Sequence, residues 1–329
     1  MGEPEQPQIP LAVIAGPTAS GKTALAVQLA HRLGGEIISA DSMQLYRELR
    51  IGTARPTDEE TEGVPHHLMG CVPMAQPYSV AEYVRQARRI AAEIDARGHL
   101  PIVAGGTGLY ISALADGLSF SESPQDEALR AELTARARRE GGEALLRELA
   151  QFDPESAARL HPNNLGRIVR AIEIYRLSGV TMTEQLRRSR ENPPPWRLSM
   201  IGLSFRDRAA LYRRIDRRAE QMMADGLEDE ARRALASPSA QTALQAIGYK
   251  ELAPYLRGEC TRAEALERLQ RATRHYAKRQ LTWFRRDARV HWLFAEDYPA
   301  PGALADEAER ILRAELNWTK GGTPACRTE

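Results

Sequence analysis

Hydrophobic and polar positions along roughly the first 115 residues alternate between two spacings. Short, mostly apolar runs of strand length occur at 11–15, 36–40 and 100–104. Such runs, which lack a polar face, are typical of strands buried on both sides of a parallel sheet. Helical spacing appears at 23–33 and again at 79–97, where Ser79 stands at the N-cap. This alternation predicts an α/β fold.

The strand pattern stops near residue 119. Apolar residues at helical spacing then occupy four segments, at 127–139, 143–152, 164–177 and 181–188, before a triple proline at 193–195. A strand pattern returns at 198–203, a helix is predicted at 207–224, and a closing strand is predicted at 290–294. We therefore predict a discontinuous α/β core and a helical insertion domain, with a flexible tail. Their predicted bounds are 1–118 with 196–316 for the core, 119–195 for the insertion and 317–329 for the tail.

The first predicted strand runs directly into a phosphate-binding motif. Residues 16–23 read GPTASGKT, which fits G-x-x-x-x-G-K-S/T without a mismatch. In a strand–loop–helix context this sequence directs backbone N–H groups and a helix N-terminus at an anion, and its glycines let the anion approach. The alternative is an accidental glycine-rich turn. We predict a P-loop NTPase-like core whose phosphate loop comprises Gly16, Pro17, Thr18, Ala19, Ser20, Gly21, Lys22 and Thr23.

Composition narrows the class of protein. The chain has 329 residues, 43% of them apolar, and a mean hydropathy of -0.45, values typical of a soluble globular protein. No run is long enough to span a bilayer, and the polar N-terminus lacks the features of a secretory signal. Three cysteines at wide spacing favour neither a zinc site nor disulfides. We expect a cytoplasmic monomer without a membrane partner.

Positive charge is concentrated in two stretches although the net charge is only +1. Residues 268–289 carry eight basic side chains against one acid, on a predicted long helix that begins at a Thr261–Glu264 capping box. A second arginine-rich stretch covers 187–218. Each could be a solvated helix face, but together they indicate a phosphate-rich macromolecular partner. Trp283 lies at core spacing together with its neighbour Phe284, so we predict that both are buried.

Two further loops follow predicted strands. Asp41 ends the strand at 36–40, which we expect to lie next to the phosphate loop, and Thr107 follows the strand at 100–104 within a glycine-rich loop. Ligands of parallel sheets bind at the carboxyl ends of the strands. Asp41 could instead merely cap a turn, and the glycine-rich loop could be a tight turn without a ligand. We predict that both loops open on one crevice.

These residues, taken with others in the same order, resemble the tRNA isopentenyl transferase family, also called the tRNA dimethylallyltransferases. The matching segments are GPTASGKT at 16–23, DSMQLYREL at 41–49, GTARP at 52–56, PHHL at 65–68, GGTGLY at 105–110, HPNNLGRIVRAIEIY at 161–175, RRIDRR at 213–218, QAIGYKE at 245–251 and YAKRQLTWFRR at 276–286. The chain departs from the family pattern at Gly166, where the family has glutamine, and at Asn164 and Arg55. The resemblance covers most of the chain.

The resemblance implies transfer of a dimethylallyl group from dimethylallyl diphosphate to N6 of the adenosine on the 3′ side of the anticodon. It implies that Asp41 is the general base, that Thr107 holds the N6 edge, and that Arg214 and Arg218 clamp the diphosphate with Mg²⁺ held partly by Thr23. The partner it implies is the anticodon stem-loop of tRNA. The tRNA contacts it implies are Asp41, Ser42, Met43, Gln44, Thr107, Arg130, Gly166, Arg167, Ile168, Val169, Arg170, Gln245, Ala246, Ile247, Gly248, Tyr249 and Lys250.

Three other classes of protein share parts of this pattern. A P-loop small-molecule kinase would use Asp41 to deprotonate a hydroxyl group. An adenylate isopentenyltransferase would prenylate a free nucleotide, which leaves the basic helix without a role. A non-catalytic nucleic-acid-binding module would bind RNA without turnover.

Overall fold

The computed structural model describes residues 8–118, 126–191, 194–237 and 243–319. The chain divides into two compact units, residues 1–115 with 195–329, and residues 116–194. The first half of the larger unit alternates strands and helices, as the apolar spacing predicts. Its elements are β1 (Ile9–Ala15), α1 (Lys22–Leu33), β2 (Gly35–Ala40), α2 (Asp58–Thr61), β3 (His66–His67), α3 (Val80–Ala96), β4 (Leu100–Gly105) and α4 (Gly108–Ala115).

The smaller unit is helical throughout its described part. It contains α5 (Glu127–Glu140), α6 (Gly142–Ala150), α7 (Pro154–Arg159), α8 (Leu165–Ser178) and α9 (Met182–Ser189). Leu133, Leu145, Leu149, Ile168 and Ile172 form its buried core. Because these residues recur every three to four positions along their helices, each helix buries one apolar stripe.

The chain then returns to the larger unit. Its second half contains β5 (Trp196–Ser204), α10 (Arg208–Ala224), α11 (Leu227–Ala236), α12 (Tyr249–Leu256), α13 (Arg262–Phe284), β6 (Val290–Phe294) and α14 (Ala303–Leu316). The capping box predicted for the long helix is present, since the Thr261 side chain accepts a hydrogen bond from the Glu264 backbone N–H and the Glu264 carboxylate accepts one from the Thr261 backbone N–H. No helix among the described residues is long and apolar enough to cross a bilayer.

Six parallel strands form one sheet in the order β3-β2-β4-β1-β5-β6, which confirms the predicted parallel α/β class. β4 pairs with β1 through Ala15 and Gly105 and with β2 through Ala40 and Gly105. The prediction that β2 lies next to the phosphate loop is therefore wrong, because β4 separates β2 from β1. Apolar spacing predicts that a strand is buried but does not encode which strand it pairs with.

Helices α1 and α14 cover one face of this sheet. Leu29 and Leu33 of α1 and Leu312 of α14 pack with Ile14 and Ile102 of the strands in one buried cluster. Truncation of a buried leucine of this kind costs about 2–5 kcal/mol. This packing fixes α1, and with it the phosphate loop that precedes α1, against the sheet.

Candidate active site

The phosphate loop turns back over the carboxyl end of β1. A Cβ atom at position 16 would lie 2.4 Å from the backbone oxygen of Leu203, so Gly16 lets two backbone segments touch. Ala19 and Gly21 adopt left-handed backbone conformations, with φ of 62° and 97°. Alternation of left- and right-handed residues turns successive N–H groups toward one concave side, which is an anion-binding geometry.

Lys22 is the first residue of α1, and its ammonium group lies inside the loop. Its Nζ donates a hydrogen bond of 3.2 Å to the Pro17 carbonyl oxygen. Burial first, and the charge of Arg218 second, lower the pKa of Lys22 to about 8, although the carboxylate of Asp41 opposes the shift. The protein therefore supplies too little negative charge to balance the Lys22 ammonium. This is expected where a bound anionic ligand completes the site.

Two arginines one turn apart on α10 bond two different loops near the cavity, the phosphate loop and the segment after β2. Arg214 Nε donates to the Ala19 carbonyl oxygen at 2.8 Å, and the guanidinium lies 5.3 Å from the centre of the Phe205 ring. Arg218 donates to the Ala54 carbonyl oxygen at 3.3 Å. Burial is the main cause that lowers the pKa of Arg218, and a desolvated guanidinium is a strong phosphate ligand.

A cavity of about 340 Å³ opens at the carboxyl edge of the sheet. Its lining residues all belong to the larger unit. Those that the sequence singled out are Thr18, Ala19, Lys22, Thr23, Asp41, Ser42, Met43, Gln44, Arg218, Gln245, Ala246, Ile247 and Lys250. Predicted residues absent from the lining are Gly16, Pro17, Ser20, Gly21, Thr107, Arg214, Gly248 and Tyr249, and, in the smaller unit, Arg130, Gly166, Arg167, Ile168, Val169 and Arg170.

The cavity also has an apolar wall. Ile37 and Met69 contribute to it from β2 and the loop after β3, and Ile215, Met222 and Leu269 contribute from α10 and α13. A five-carbon branched chain that lay here would be removed from water, at about 0.8 kcal/mol for each buried methylene. The cavity therefore combines a cationic end with an apolar wall.

Asp41 caps a turn and also has a carboxylate oxygen available to a ligand, which are the two roles that its position in the sequence allowed. Its Oδ1 accepts hydrogen bonds from the backbone N–H groups of Met43 at 2.9 Å and Gln44 at 3.3 Å, so it caps the turn after β2. Its Oδ2 has no hydrogen-bond partner among the residues that the structure describes. The turn fixes the carboxylate, and the second oxygen stays available to a ligand in the cavity.

Thr107 joins the loop after β4 to the Asp41 turn. Its Oγ1 accepts a 2.9 Å hydrogen bond from the Ser42 N–H and donates to the Ser42 hydroxyl at 3.3 Å. Gly105 permits this approach, because a Cβ atom there would lie 2.2 Å from the Ala40 carbonyl oxygen. The two loops predicted to share a crevice are thus bonded to one another.

Two residues that the sequence reasoning missed hold these loops in place. The first is Glu230 of α11, which is buried. Its carboxylate accepts hydrogen bonds of 2.9 Å from the N–H groups of Arg50, Ile51 and Gly52 and one of 2.8 Å from the Tyr249 hydroxyl. An acidic residue on the apolar stripe of a helix is the signal that could have revealed it.

The second missed residue is Gln280 of α13, which is also buried. Its Oε1 accepts a 2.9 Å hydrogen bond from the Thr18 N–H, and its Nε2 donates one of 2.9 Å to the Gly106 carbonyl oxygen. Gln280 occupies a core position between Ala277 and Phe284. An amide at apolar spacing was the available signal, because buried polar groups are almost always hydrogen-bonded.

Several residues of the smaller unit that the family resemblance implies as tRNA contacts have structural roles there. Arg130 and Arg170 donate to the fully buried carboxylate of Glu173 at 3.0 and 2.9 Å. Burial alone would raise the pKa of Glu173, but these hydrogen bonds lower it. The side chains of Ile168 and Val169 are buried in the helical core, so only their backbone is left for an RNA contact.

Gly166 and Arg167 stand at the start of α8 with exposed side-chain positions. A Cβ atom at Gly166 would meet nothing within 4 Å. The position can therefore accommodate the glutamine that the family pattern has there, and its glycine is not imposed by packing.

The segment 245–250 likewise contains both buried and exposed side chains. Ala246 and Tyr249 are buried, whereas Gln245 and Lys250 are exposed. The exposed side chains and the backbone are the parts of this segment that could contact RNA.

The outer face of α13 differs from its prediction at one position. Phe284 is buried, as predicted, but Trp283 is 38% exposed, so that prediction is wrong. Its indole N–H donates to the Ser112 hydroxyl at 2.9 Å, and its ring covers the backbone of Gly108. Apolar spacing along the helix does not reveal contacts of this kind. Five basic side chains of residues 268–289 form no ion pair with described residues: Arg268, Lys278 and Arg279 on α13, and Arg285 and Arg286 directly after it. Arg279 also lines the cavity.

The adjacent histidines serve as hydrogen-bonding residues. His66 Nδ1 lies 2.8 Å from the Val64 carbonyl oxygen and His67 Nε2 lies 2.7 Å from Glu36 Oε2. Over the described ranges, no group of three or more His, Cys, Asp or Glu side chains has the arrangement of a metal site.

Comparison with known proteins relates this geometry to a family. The profile of the family described as IPP transferase matches residues 44–287, and that of isopentenyl transferase matches residues 9–75. A tRNA dimethylallyltransferase of Geobacillus thermodenitrificans is 46% identical over 307 residues, which span 92% of this chain and 95% of that protein. Its counterpart in Thermomicrobium roseum is 46% identical over 311 residues, 93% of this chain and 92% of that one.

Solved structures agree. The full-length tRNA isopentenylpyrophosphate transferase of Bacillus halodurans matches with a TM-score of 0.71 at 42% identity, over 94% of this chain and 97% of that chain. A eukaryotic dimethylallyltransferase acting on tRNA matches with a TM-score of 0.79 at 27% identity, over 95% and 81%. Fold and cavity together define a P-loop α/β protein. Within that class, the chain belongs to the IPP transferase family, which confirms the family predicted from the sequence motifs.

Proposed function

We propose that the protein transfers the dimethylallyl group of dimethylallyl diphosphate to N6 of the adenosine on the 3′ side of a tRNA anticodon. The observation that carries this proposal is one cavity that combines the phosphate loop, an apolar wall and the free carboxylate oxygen of Asp41. Membership of a family whose relatives are named for prenyl transfer to tRNA supports the same reaction.

The phosphate loop would hold the diphosphate as the leaving group. As the bond between the allylic C1 and its oxygen breaks, negative charge grows on the diphosphate, and the ammonium of Lys22 and the guanidinium of Arg218 would stabilise it. Both cations are half-buried, and burial is the main cause that lowers the pKa of each. Stabilisation by such pre-positioned charge requires no reorganisation during the reaction.

The loop also fits a magnesium ion. Mg²⁺ is commonly bound through one or two protein oxygens together with substrate phosphates. The Thr23 hydroxyl lines the cavity, and the Ser20 hydroxyl is buried without a hydrogen-bond partner. Thr23 would hold the ion, which when bound would neutralise part of the diphosphate charge.

Asp41 would act as the general base toward the acceptor. The lone pair of N6 is delocalised into the adenine ring, so the amine is a weak nucleophile. As the N6–C1 bond forms, Asp41 Oδ2 would take a proton from N6, and the electron pair of the breaking C1–O bond would leave with the diphosphate. Thr107 would hold the N6 edge beside the Asp41 turn.

An adenosine within an anticodon loop would have to leave its stack to reach this cavity. The cations on and directly after α13 that have no ionic partner among the described residues suit phosphates of the anticodon stem-loop, and the exposed Trp283 suits an unpaired base. Arg167 at the exposed start of α8, and Lys250, would supply further contacts.

The direct test is transfer of a labelled dimethylallyl group to tRNA. The protein is incubated with labelled dimethylallyl diphosphate, Mg²⁺ and total tRNA, and the digested RNA is analysed for isopentenyladenosine. We expect label in tRNA from the native chain and none with Asp41→Asn. AMP as the acceptor, and ATP with a labelled γ-phosphate, are the parallel reactions. Label in AMP but not in tRNA would select an adenylate isopentenyltransferase, and γ-phosphate transfer without prenylation would select a kinase.

A further inference from the structure

We propose that Gln280 is a positioning residue for the transfer reaction, because its side-chain amide fixes the phosphate loop relative to the Thr107 loop. This inference rests on the proposed function, since it assigns the two loops to the donor and to the acceptor. Gln280 lies within the segment 276–286 that resembles the family, but the resemblance assigned it no role, and the general features of a phosphate loop do not require such a residue.

The amide uses both of its ends on backbone atoms of different loops. Gln280 Oε1 accepts from the Thr18 N–H in the phosphate loop, and Nε2 donates to the Gly106 carbonyl oxygen in the loop after β4. The side chain is only 4% exposed. These two partners are backbone groups, so their positions report those of the loops themselves. The hydroxyl of Tyr276, one helical turn before Gln280, also faces Gln280 and Thr107, and burial raises its pKa, so it stays neutral between pH 6 and pH 8.

The absence of a side chain at Gly106 makes room for the Gln280 amide. A Cβ atom at position 106 would lie 2.1 Å from Gln280 Nε2, so any other residue there would displace the amide. The buried amide in turn cannot be exchanged for a hydrocarbon without leaving the Thr18 N–H and the Gly106 oxygen unpaired. Each unpaired buried group costs about 1–3 kcal/mol.

The connection continues from Gly106 to the reacting groups. Thr107 follows Gly106 and bonds the Ser42 N–H, and Ser42 adjoins Asp41. On the other side, Thr18 belongs to the loop that contains Lys22. Beyond the pairing of β1 with β4 through Ala15 and Gly105, this side chain is therefore a direct link between the cradle of the leaving group and the loop that positions the base. A displacement of about 1 Å between reacting groups can reduce a rate by about 100-fold.

Helix α13 is a suitable support for such a residue. It spans 23 residues, from Arg262 to Phe284, and Gln280 lies between the buried side chains of Ala277 and Phe284. Three residues beyond Gln280, the Trp283 ring covers Gly108, the first residue of α4, which directly follows the loop of Gly106 and Thr107. The helix thus contacts the acceptor loop, the start of α4 and the phosphate loop.

The experiment compares Gln280→Leu and Gln280→Glu with the native chain. Gln270→Leu is the matched control, since Gln270 lies on the same helix and contacts Asp216 and Glu220. Measured quantities are kcat, KM for dimethylallyl diphosphate, and Kd for tRNA, with thermal unfolding as the check on folding. We expect kcat to fall about 100-fold in Gln280→Leu, while its Kd for tRNA stays within about twofold of native. In Gln270→Leu, all three measured quantities should stay close to native.

Gln280→Glu gives a pH signature that a purely structural role would not give. A carboxylate can accept from the Thr18 N–H but cannot donate to the Gly106 oxygen, whereas a protonated carboxyl can do both. Burial raises the pKa of a carboxyl group, so protonation should restore the pair as the pH falls. We expect the kcat of Gln280→Glu, divided by that of the native chain, to rise at least about fivefold from pH 8 to pH 6, and the Gln280→Leu ratio to stay flat.

A Gln280→Leu kcat within about threefold of native, or a Gln280→Glu ratio that does not change with pH, would overturn the inference. Loss of tRNA affinity in parallel with kcat would also overturn it, because the residue would then act in binding. A native chain that fails to prenylate tRNA would instead refute the proposed function, so the two failures are distinguishable.

Discussion

The two units of this protein differ in how their buried polar groups are satisfied. In the helical unit, the carboxylate of Glu173 is bonded by Arg130 and Arg170, and that of Asp153 by Ser156 and Thr183. Around the cavity of the larger unit, polar groups remain available, among them Asp41 Oδ2 and the Lys22 ammonium. A saturated polar network stabilises a fold, whereas under-used polar groups in a cavity mark a ligand site.

Asp41→Asn tests the role of the available polar groups at the cavity and has the largest expected effect. The amide keeps the Oδ1 cap on Met43 and Gln44 but cannot accept a proton. We expect kcat to fall about 10³-fold, within the range of general-base catalysis, and the thermal unfolding temperature to stay near native. Single-turnover transfer to tRNA measures it. A loss of stability together with activity would mean that Asp41 serves only as a turn cap.

Lys22→Met is expected to reduce kcat/KM for dimethylallyl diphosphate about 100-fold, because its half-buried ammonium faces the leaving group. Equilibrium binding of the diphosphate donor, measured alongside the rate, separates ground-state binding from catalysis. Retained donor affinity and rate in this variant would contradict the assignment of the loop to the diphosphate.

The same lysine predicts a pH dependence of donor binding. The pKa of Lys22 in the free protein is about 8, so the ammonium is charged below that pH and neutral above it. Donor binding should favour the charged form, and affinity should fall by up to about tenfold per pH unit above pH 8. Calorimetry between pH 7 and 9.5 would show this slope in the native chain and a flatter profile in Lys22→Met.

Glu173→Ala tests the hydrogen-bonded polar network of the helical unit. Removal of the carboxylate leaves Arg130 and Arg170 without their shared partner, and we expect a loss of about 2–3 kcal/mol in the stability of the helical unit. Hydrogen exchange in α5 and α8 reports it locally. Donor binding in the larger unit should be unchanged, and weakened donor binding would show that the comparison between the two units does not hold.

The smallest effect is expected directly after the C-terminal end of α13. The double change Arg285→Ala and Arg286→Ala removes two cations that have no ionic partner among the described residues. We expect Kd for tRNA to rise several-fold and the slope of log Kd against log salt to decrease by about 1–2. The kcat at saturating tRNA should not change. Arg271→Ala, which removes a cation already paired with Glu267, is the control.

The phosphate loop, the parallel strands and the caps at Ser79 and Thr261 could be predicted from the sequence. Each depends on residues a few positions apart, so local spacing carries the information. Asp41 and Thr107 were predicted for the related reason that the ends of parallel strands share one edge of a sheet.

Only the tertiary structure decided which distant groups meet. Gln280 bonds Thr18 across 262 residues and Glu230 bonds the Arg50 loop across 180, and nothing in the spacing of either residue names its partner. The position of β4 between β1 and β2, and the exposure of Trp283, were decided in the same way. Local patterns determine which face of an element is buried, but the partner of a buried polar group depends on how the whole chain packs.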